Sequence, residues 1–220
     1  MNQDLARYYA LRAEEYERIY QIPERQEDLK TLAQVLSIDF RDREVLEVAC
    51  GTGYWTKFIA QNARSVLATD ANLEMLALAR PKDYLRPNVS FRQADAFSLD
   101  NISGQFTGGF AGFWWSHVSY EKLPVFLDRF HARLQRDALV VFVDNIYLPG
   151  YSGSLSRTDE QANTYQLRTL GNGSTHEIIK NYPDENELNN YLAPFTGDLE
   201  YIRLTYYWLV KYNLNKNGIP

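Results

Sequence analysis

The stretch Val45-Leu-Glu-Val-Ala-Cys-Gly-Thr-Gly-Tyr-Trp-Thr56 constrains this chain most. Residues 45–49 are an apolar run with β-branched members, broken once by Glu47. Such a run reads as a buried parallel strand. Gly51 and Gly53 follow, and without a Cβ they permit positive φ and a close backbone approach to a ligand. From Tyr54 the pattern turns helical. Strand, glycine turn and helix start together open a nucleotide-type site.

A G-x-G alone is weak, but here its surroundings narrow it. Thr56 stands where a dinucleotide fingerprint has its third glycine. A second strand, expected over 65–69, ends in Asp70. That acid lies about 20 residues past the turn, the spacing at which a carboxylate takes ribose hydroxyls. Glu47 to Gly53 followed by Ala68-Thr-Asp70 resembles the class I S-adenosylmethionine (SAM)-dependent methyltransferases. A dinucleotide-binding oxidoreductase would share the turn and Asp70, but gives no reason for Glu47, Thr56 or the later pair Asp95-Ala96.

The resemblance implies an α/β fold: a Rossmann-like three-layer sandwich with a mostly parallel seven-stranded sheet whose last strand is antiparallel, plus N-terminal helices and an inserted β-hairpin. It implies SAM as cofactor and S-adenosylhomocysteine (SAH) as product. The backbone N–H groups of Gly51 and Gly53, at a helix start, would meet the cofactor's carboxylate. Glu47 would serve its ammonium, and Asp70 its ribose. Ala71, Asn72 and Met75 would touch ribose and adenine. Asp95, Ala96 and Phe97 would form the adenine side, and Ala49, Tyr54, Trp55, Phe113 and Trp114 complete the expected cofactor set.

Composition limits the partners. Net charge is −5 with no basic run, which disfavours nucleic acid and anionic membranes. Cys50 is the single cysteine, so no disulfide framework exists and a reducing, cytoplasmic setting fits. No secretory signal is evident at the start. The longest apolar run, 138–143, is too short to span a bilayer. We expect one domain over 1–220, with a helical cap over 1–40 and an inserted loop and hairpin over 147–182, as a monomer or homodimer. There is no convincing metal site.

In chain order, helices are expected over 4–20 and 24–36, with Leu5, Tyr9, Ala13, Tyr16 and Tyr20 on one stripe of the first. Tyr8 to Tyr16 matches a pattern of the resembling families, in which this segment covers the cofactor and part of the substrate. Strand 44–49, helix 54–61, strand 65–69 and helix 72–80 follow, with Asn72 as N-cap. Strands 89–92 and 106–113, helix 121–134 and strand 139–143 come next. The glycines of 106–113 suggest close backbone approach. Two strands, 164–170 and 175–182, flank Gly171-Asn-Gly-Ser174, a hairpin signal. Helix 185–192, strands 199–205 and 207–212, and a frayed tail over 213–220 complete the chain.

The acceptor is read from later residues. Trp114 to His117, Phe142-Val-Asp144, and Arg168-Thr-Leu-Gly-Asn-Gly173 with Ile178-Ile-Lys180 resemble small-molecule O-methyltransferases, including a bacterial phosphonate O-methyltransferase. Arg168 and Lys180 would bind an anion if an extra loop residue puts them on one face. Ionised carboxylate or phosphonate needs no base. Tyr16, Tyr20 and His117 are the further substrate residues, with His117 and Tyr16 as catalytic candidates. The alternatives are transfer to a hydroxyl or amine with His117 as general base, and a non-catalytic SAM-binding regulator.

Overall fold

A computed structural model describes residues 3–215. Its centre is a seven-stranded sheet in the order β3-β2-β1-β4-β5-β10-β9. The strands are β1 (Glu44–Val48), β2 (Ser65–Asp70), β3 (Val89–Gln93), β4 (Phe106–Gly112), β5 (Leu134–Asn145), β9 (Leu199–Arg203) and β10 (Tyr207–Asn213). β1 to β5 pair in parallel, and β10, last in the chain, runs antiparallel between β5 and β9. This is the expected class I architecture.

Both faces of the sheet are buried, which is why its strands are almost continuously apolar. Along β5, Val140 and Phe142 join one core with α5 (Leu123–His131) and α6 (Glu185–Leu192). The alternate residues Leu139, Val141 and Val143 join another with α2 (Gln26–Asp39) and α3 (Thr56–Ile59). The glycines of β4 let α5 come close: a Cβ on Gly109 would lie 2.7 Å from Leu134 and 2.8 Å from Phe130.

Several boundaries depart from the sequence expectation. The first helix is α only over Gln3–Arg12 (α1) and tightens to a 3-10 helix over Ala13–Gln21. No side-chain cap marks that change, so periodicity alone ran through it. The helix after β1 is a single turn. Asn72 does occupy the N-cap of α4 (Leu73–Ala79), but its side chain makes no capping bond. β5 starts five residues earlier than expected. The tail also starts later: Asn213 belongs to β10 and Leu214 is buried, while 216–220 lie outside the described residues.

A separate three-stranded antiparallel sheet holds β6 (Arg157–Thr158), β7 (Thr164–Thr169) and β8 (Thr175–Ile179). β6 was not foreseen, since two residues carry no periodicity. Leu170 and Ser174 close the hairpin around three loop residues, Gly171 to Gly173. The odd loop sets the register Arg168↔His176 and Gln166↔Ile178, and Lys180 N–H donates to Thr164. Alternation therefore puts Arg168 and Lys180 on one face. Buried amides hold this sheet to the end of β4: Asn181 N–H donates to the Ser116 carbonyl, and its side chain to the Val118 carbonyl and to Asn163.

Candidate active site

Two adjoining cavities open at the carboxyl edge of the sheet, where parallel α/β folds place their ligands. Tyr16 and Phe113 line both.

The smaller, about 50 Å³, lies over the ends of β1, β2 and β4. Asp70, Ala71, Asn72 and Met75 form one side, and Ala94, Ala96, Gly112, Phe113 and Trp114 the other, with Ala49 at the base. Ala49 and Phe113 hold φ of +53° and +58°, a conformation non-glycine residues seldom take and that clusters at functional sites. Each sits where a central strand breaks off into the cavity. Tyr9 and Tyr16 cover it from the N-terminal segment.

Asp70 is preorganised. One carboxylate oxygen accepts from Gly51 N–H at 2.9 Å and the other from Asn72 N–H at 2.8 Å. Burial still raises its pKa, against the pull of those N–H groups. Gly51 N–H is thus committed to Asp70, and Gly53 N–H to the Cys50 carbonyl. The expectation that these two N–H groups meet a ligand carboxylate is therefore corrected. A Cβ on Gly53 (φ +75°) would collide with the Tyr84 hydroxyl.

Glu47 lies beneath this floor, 1% exposed. Thr56, in the place of the third glycine, donates its hydroxyl to Glu47 at 2.7 Å. Burial raises the Glu47 carboxyl to about 8, Thr56 opposing and Asp70 adding to the rise. Glu47, Gly51, Gly53, Tyr54, Trp55, Asp95 and Phe97 do not line the cavity. Tyr54 stacks on Tyr20 at 3.7 Å between centroids, and Trp55 donates to the Tyr20 hydroxyl. Asp95 accepts from Phe97 N–H, forming the turn that positions its neighbours Ala94 and Ala96.

The larger cavity, about 220 Å³, extends away from the first. The expected substrate residues Tyr16, Tyr20, His117, Arg168 and Lys180 all line it. Lys180 is not a free cation. It is buried, donates to Ser116 Oγ at 2.6 Å, and pairs with the fully buried Asp144 at 3.3 Å. Ser116 donates its N–H and hydroxyl to Asp144. Burial lowers the Lys180 pKa while Asp144 supports its charge. Burial pushes Asp144 upward, but the Lys180 ammonium and the Ser116 and Asn145 N–H groups hold it below the usual carboxylate range.

His117 has both ring nitrogens engaged. Nδ1 lies 2.8 Å from the Ile179 carbonyl and Nε2 2.6 Å from the Tyr9 hydroxyl. A carbonyl can only accept, so Nδ1 carries the proton and Tyr9 donates to Nε2. Burial, reinforced by Lys180, lowers the His117 pKa and keeps the ring neutral.

Arg12 and Arg25 also line this cavity and were not foreseen. Arg12 lies over the Tyr8 and Tyr16 rings, and Arg25 over those of Tyr151, Tyr206 and Tyr207. Arg168 donates to Gln166 at 2.5 Å. Among the described residues none of the three arginines has a carboxylate partner. The Nε atoms of Arg25 and Arg168 are buried without a hydrogen bond.

Comparison with known proteins agrees with this geometry. A family model described as a methyltransferase domain matches residues 45–137. The structure of DhpI in complex with SAH aligns at 25% identity and TM-score 0.79, over 98% of this chain and 97% of that one. The protein is a SAM-dependent methyltransferase with the class I fold. A DhpI complex with SAM and HEP aligns at 24% identity and TM-score 0.77, covering 95% of each chain. The PH0226 protein of Pyrococcus horikoshii shares the fold at 18% identity and TM-score 0.69, over 91% of this chain and 99% of that one. A sequence search of curated proteins finds no match.

The lining of the smaller cavity suits the ribose and adenine of SAM. Asp70 offers acceptors for two hydroxyls, small side chains leave room for a flat ring, and the buried Trp114 indole N–H lacks a partner. SAM supplies the methyl group as an electrophile on its sulfonium. No described helix is long and apolar enough to cross a membrane.

Proposed function

We propose that the enzyme transfers the methyl group to an oxygen of a small anionic metabolite, a carboxylate or a phosphonate. The observation that carries this is the larger cavity: three arginines without carboxylate partners converge on it in a chain whose net charge is −5. All three are half-buried, and withdrawing unpaired cations from water is costly, a cost that an anionic ligand relieves. About 220 Å³ falls below the roughly 300–1,000 Å³ of pockets for drug-sized ligands, which suits a small acid.

The acceptor is ionised at neutral pH, so its oxygen lone pair attacks directly. The O–CH3 bond forms as the S–CH3 bond breaks, and the bonding pair stays on sulfur. Protein groups need only hold the oxygen in line and exclude water. Arg168 is placed to fork the acid, and Tyr16, shared by both cavities, to border the reacting atoms. His117 suits positioning better than proton abstraction, because its Nε2 lone pair already accepts from Tyr9. Transfer to a hydroxyl or amine with His117 as base therefore ranks second.

The test is an acceptor screen read by SAH release, comparing acids with neutral analogues of equal size. Acids should turn over. Losing a charge-assisted contact should raise KM for an acid roughly 10-fold in Arg168→Gln, with partial recovery in Arg168→Lys. Turnover confined to neutral alcohols or amines would sink the proposal, as would an unchanged KM for acids in Arg168→Gln.

A further inference from the structure

The acid-binding reading accounts for Arg168 and leaves Arg25 without a task. Arg25 follows Pro23 at the start of α2, where the N-terminal wall of the cavity ends. It is held in the cavity wall by aromatic faces rather than by charge. Tyr151, Tyr206 and Tyr207 surround its guanidinium, which makes a long 3.4 Å contact to the Tyr207 hydroxyl. Asp28, one turn along α2, is engaged elsewhere, accepting from Tyr206 N–H at 2.7 Å. The buried Nε of Arg25 therefore has an N–H with nothing to receive it. In a folded interior such an orphan is costly, and it points to a ligand group that completes it.

Arg25 and Arg168 are two separate stations. The segment Tyr151-Ser152-Gly153 runs between them: the Tyr151 ring packs on Arg25, while Gly153 lies beside the Arg168 guanidinium. Both arginines border the same cavity of about 220 Å³, so a short molecule lying in it meets both. Arg25 lies away from the cofactor: the tyrosines around it line the larger cavity, and none lines the smaller one. Arg168 shares its face with Lys180, whose own charge is answered by Asp144.

We propose that the acceptor is a short acid with two anionic groups, one presented to the methyl donor beside Arg168 and the other held by Arg25 at the far end. This rests on the acid-methylating reading and narrows it. Only the near group reacts. One of its oxygens forms the O–CH3 bond as the S–CH3 bond breaks toward sulfur, no proton moves, and the far group leaves unchanged. The product is a monoester in which the far group keeps its charge. Selectivity for diacids would arise from the unanswered Arg25 charge, since a monoacid of equal length leaves it half-buried and its Nε unpaired.

The experiment measures kcat/KM by SAH release for two matched pairs: pentanoate with glutarate, and butylphosphonate with 3-phosphonopropionate. Affinities for the same acids are measured by calorimetry with SAH present. Wild type should favour the diacid of at least one pair by roughly 10-fold or more, the worth of a charge-assisted contact. In Arg25→Gln the diacid-to-monoacid ratio should fall to near one, and Arg25→Lys should restore part of it. A purely structural Arg25 would change melting temperature without moving that ratio. An unchanged ratio in Arg25→Gln, or a wild type without diacid preference that still methylates monoacids, overturns the second-anion assignment and leaves acid methylation standing. A wild type that methylates no acid overturns both.

Discussion

Glu47 sits in β1, the strand flanked by β2 and β4, with no cation against it. Its carboxyl holds a proton to about pH 8 in the folded protein, against an ordinary 4.5. Between those values the folded state binds more protons than the unfolded chain, so stability falls as pH rises. The difference amounts to about 5 kcal/mol across the full window, of which about 3 is already lost at pH 7. Glu47→Gln retains an acceptor for the Thr56 hydroxyl and cannot ionise. The two proteins should be equally stable near pH 5, and the variant should be the more stable by several kcal/mol at pH 9. Urea unfolding of cofactor-free protein at pH 5, 7 and 9 measures this. Asp70, whose pKa is also raised, contributes a slope of the same sign to both proteins, and only its coupling to Glu47 survives the comparison. A stability difference that stays constant from pH 5 to 9 would refute the reasoning.

Asp144→Asn leaves the Lys180 ammonium buried with only Ser116 to receive it, and breaking a buried pair from one side costs about 3–5 kcal/mol; chemical denaturation should show that loss, and Asp144→Asn with Lys180→Met should recover part of it. Glu17 accepts from the Thr52 hydroxyl at 2.6 Å and from Lys82, tying the 3-10 helix to the glycine turn. With both ion-pair side chains partly exposed, Glu17→Gln should cost less than about 1 kcal/mol of stability, yet it should speed SAM dissociation in stopped-flow displacement; an unchanged off-rate would remove the latch role.

The sheet was legible because its determinants are local. The glycine turn, the acid after β2 and the apolar runs each declare themselves within a few residues. The lining of the larger cavity was legible in parts: Tyr16 and Tyr20 on a helical stripe, His117 at a strand end, and Arg168 and Lys180 on a hairpin. How these parts meet is set by contacts that no short pattern encodes: Tyr9 meets His117 across 108 positions, and Arg25 meets Tyr207 across 182. Asp144 was visible as part of a resemblance, but its bond to Lys180 depends on how β8 docks on β5. Gly51 misled for a related reason. A free N–H and one already claimed by Asp70 look alike in a sequence.

The N-terminal segment walls both cavities, Tyr9 and Tyr16 over the cofactor side and Arg12, Tyr16 and Tyr20 on the acceptor side. Any movement of this segment that widens the smaller cavity for SAM also takes away one wall of the larger one. On the acid-methylating reading, the acceptor then meets a complete chamber only once the methyl donor is in place. Steady-state kinetics should accordingly show ordered binding with SAM first; random binding would separate the two walls.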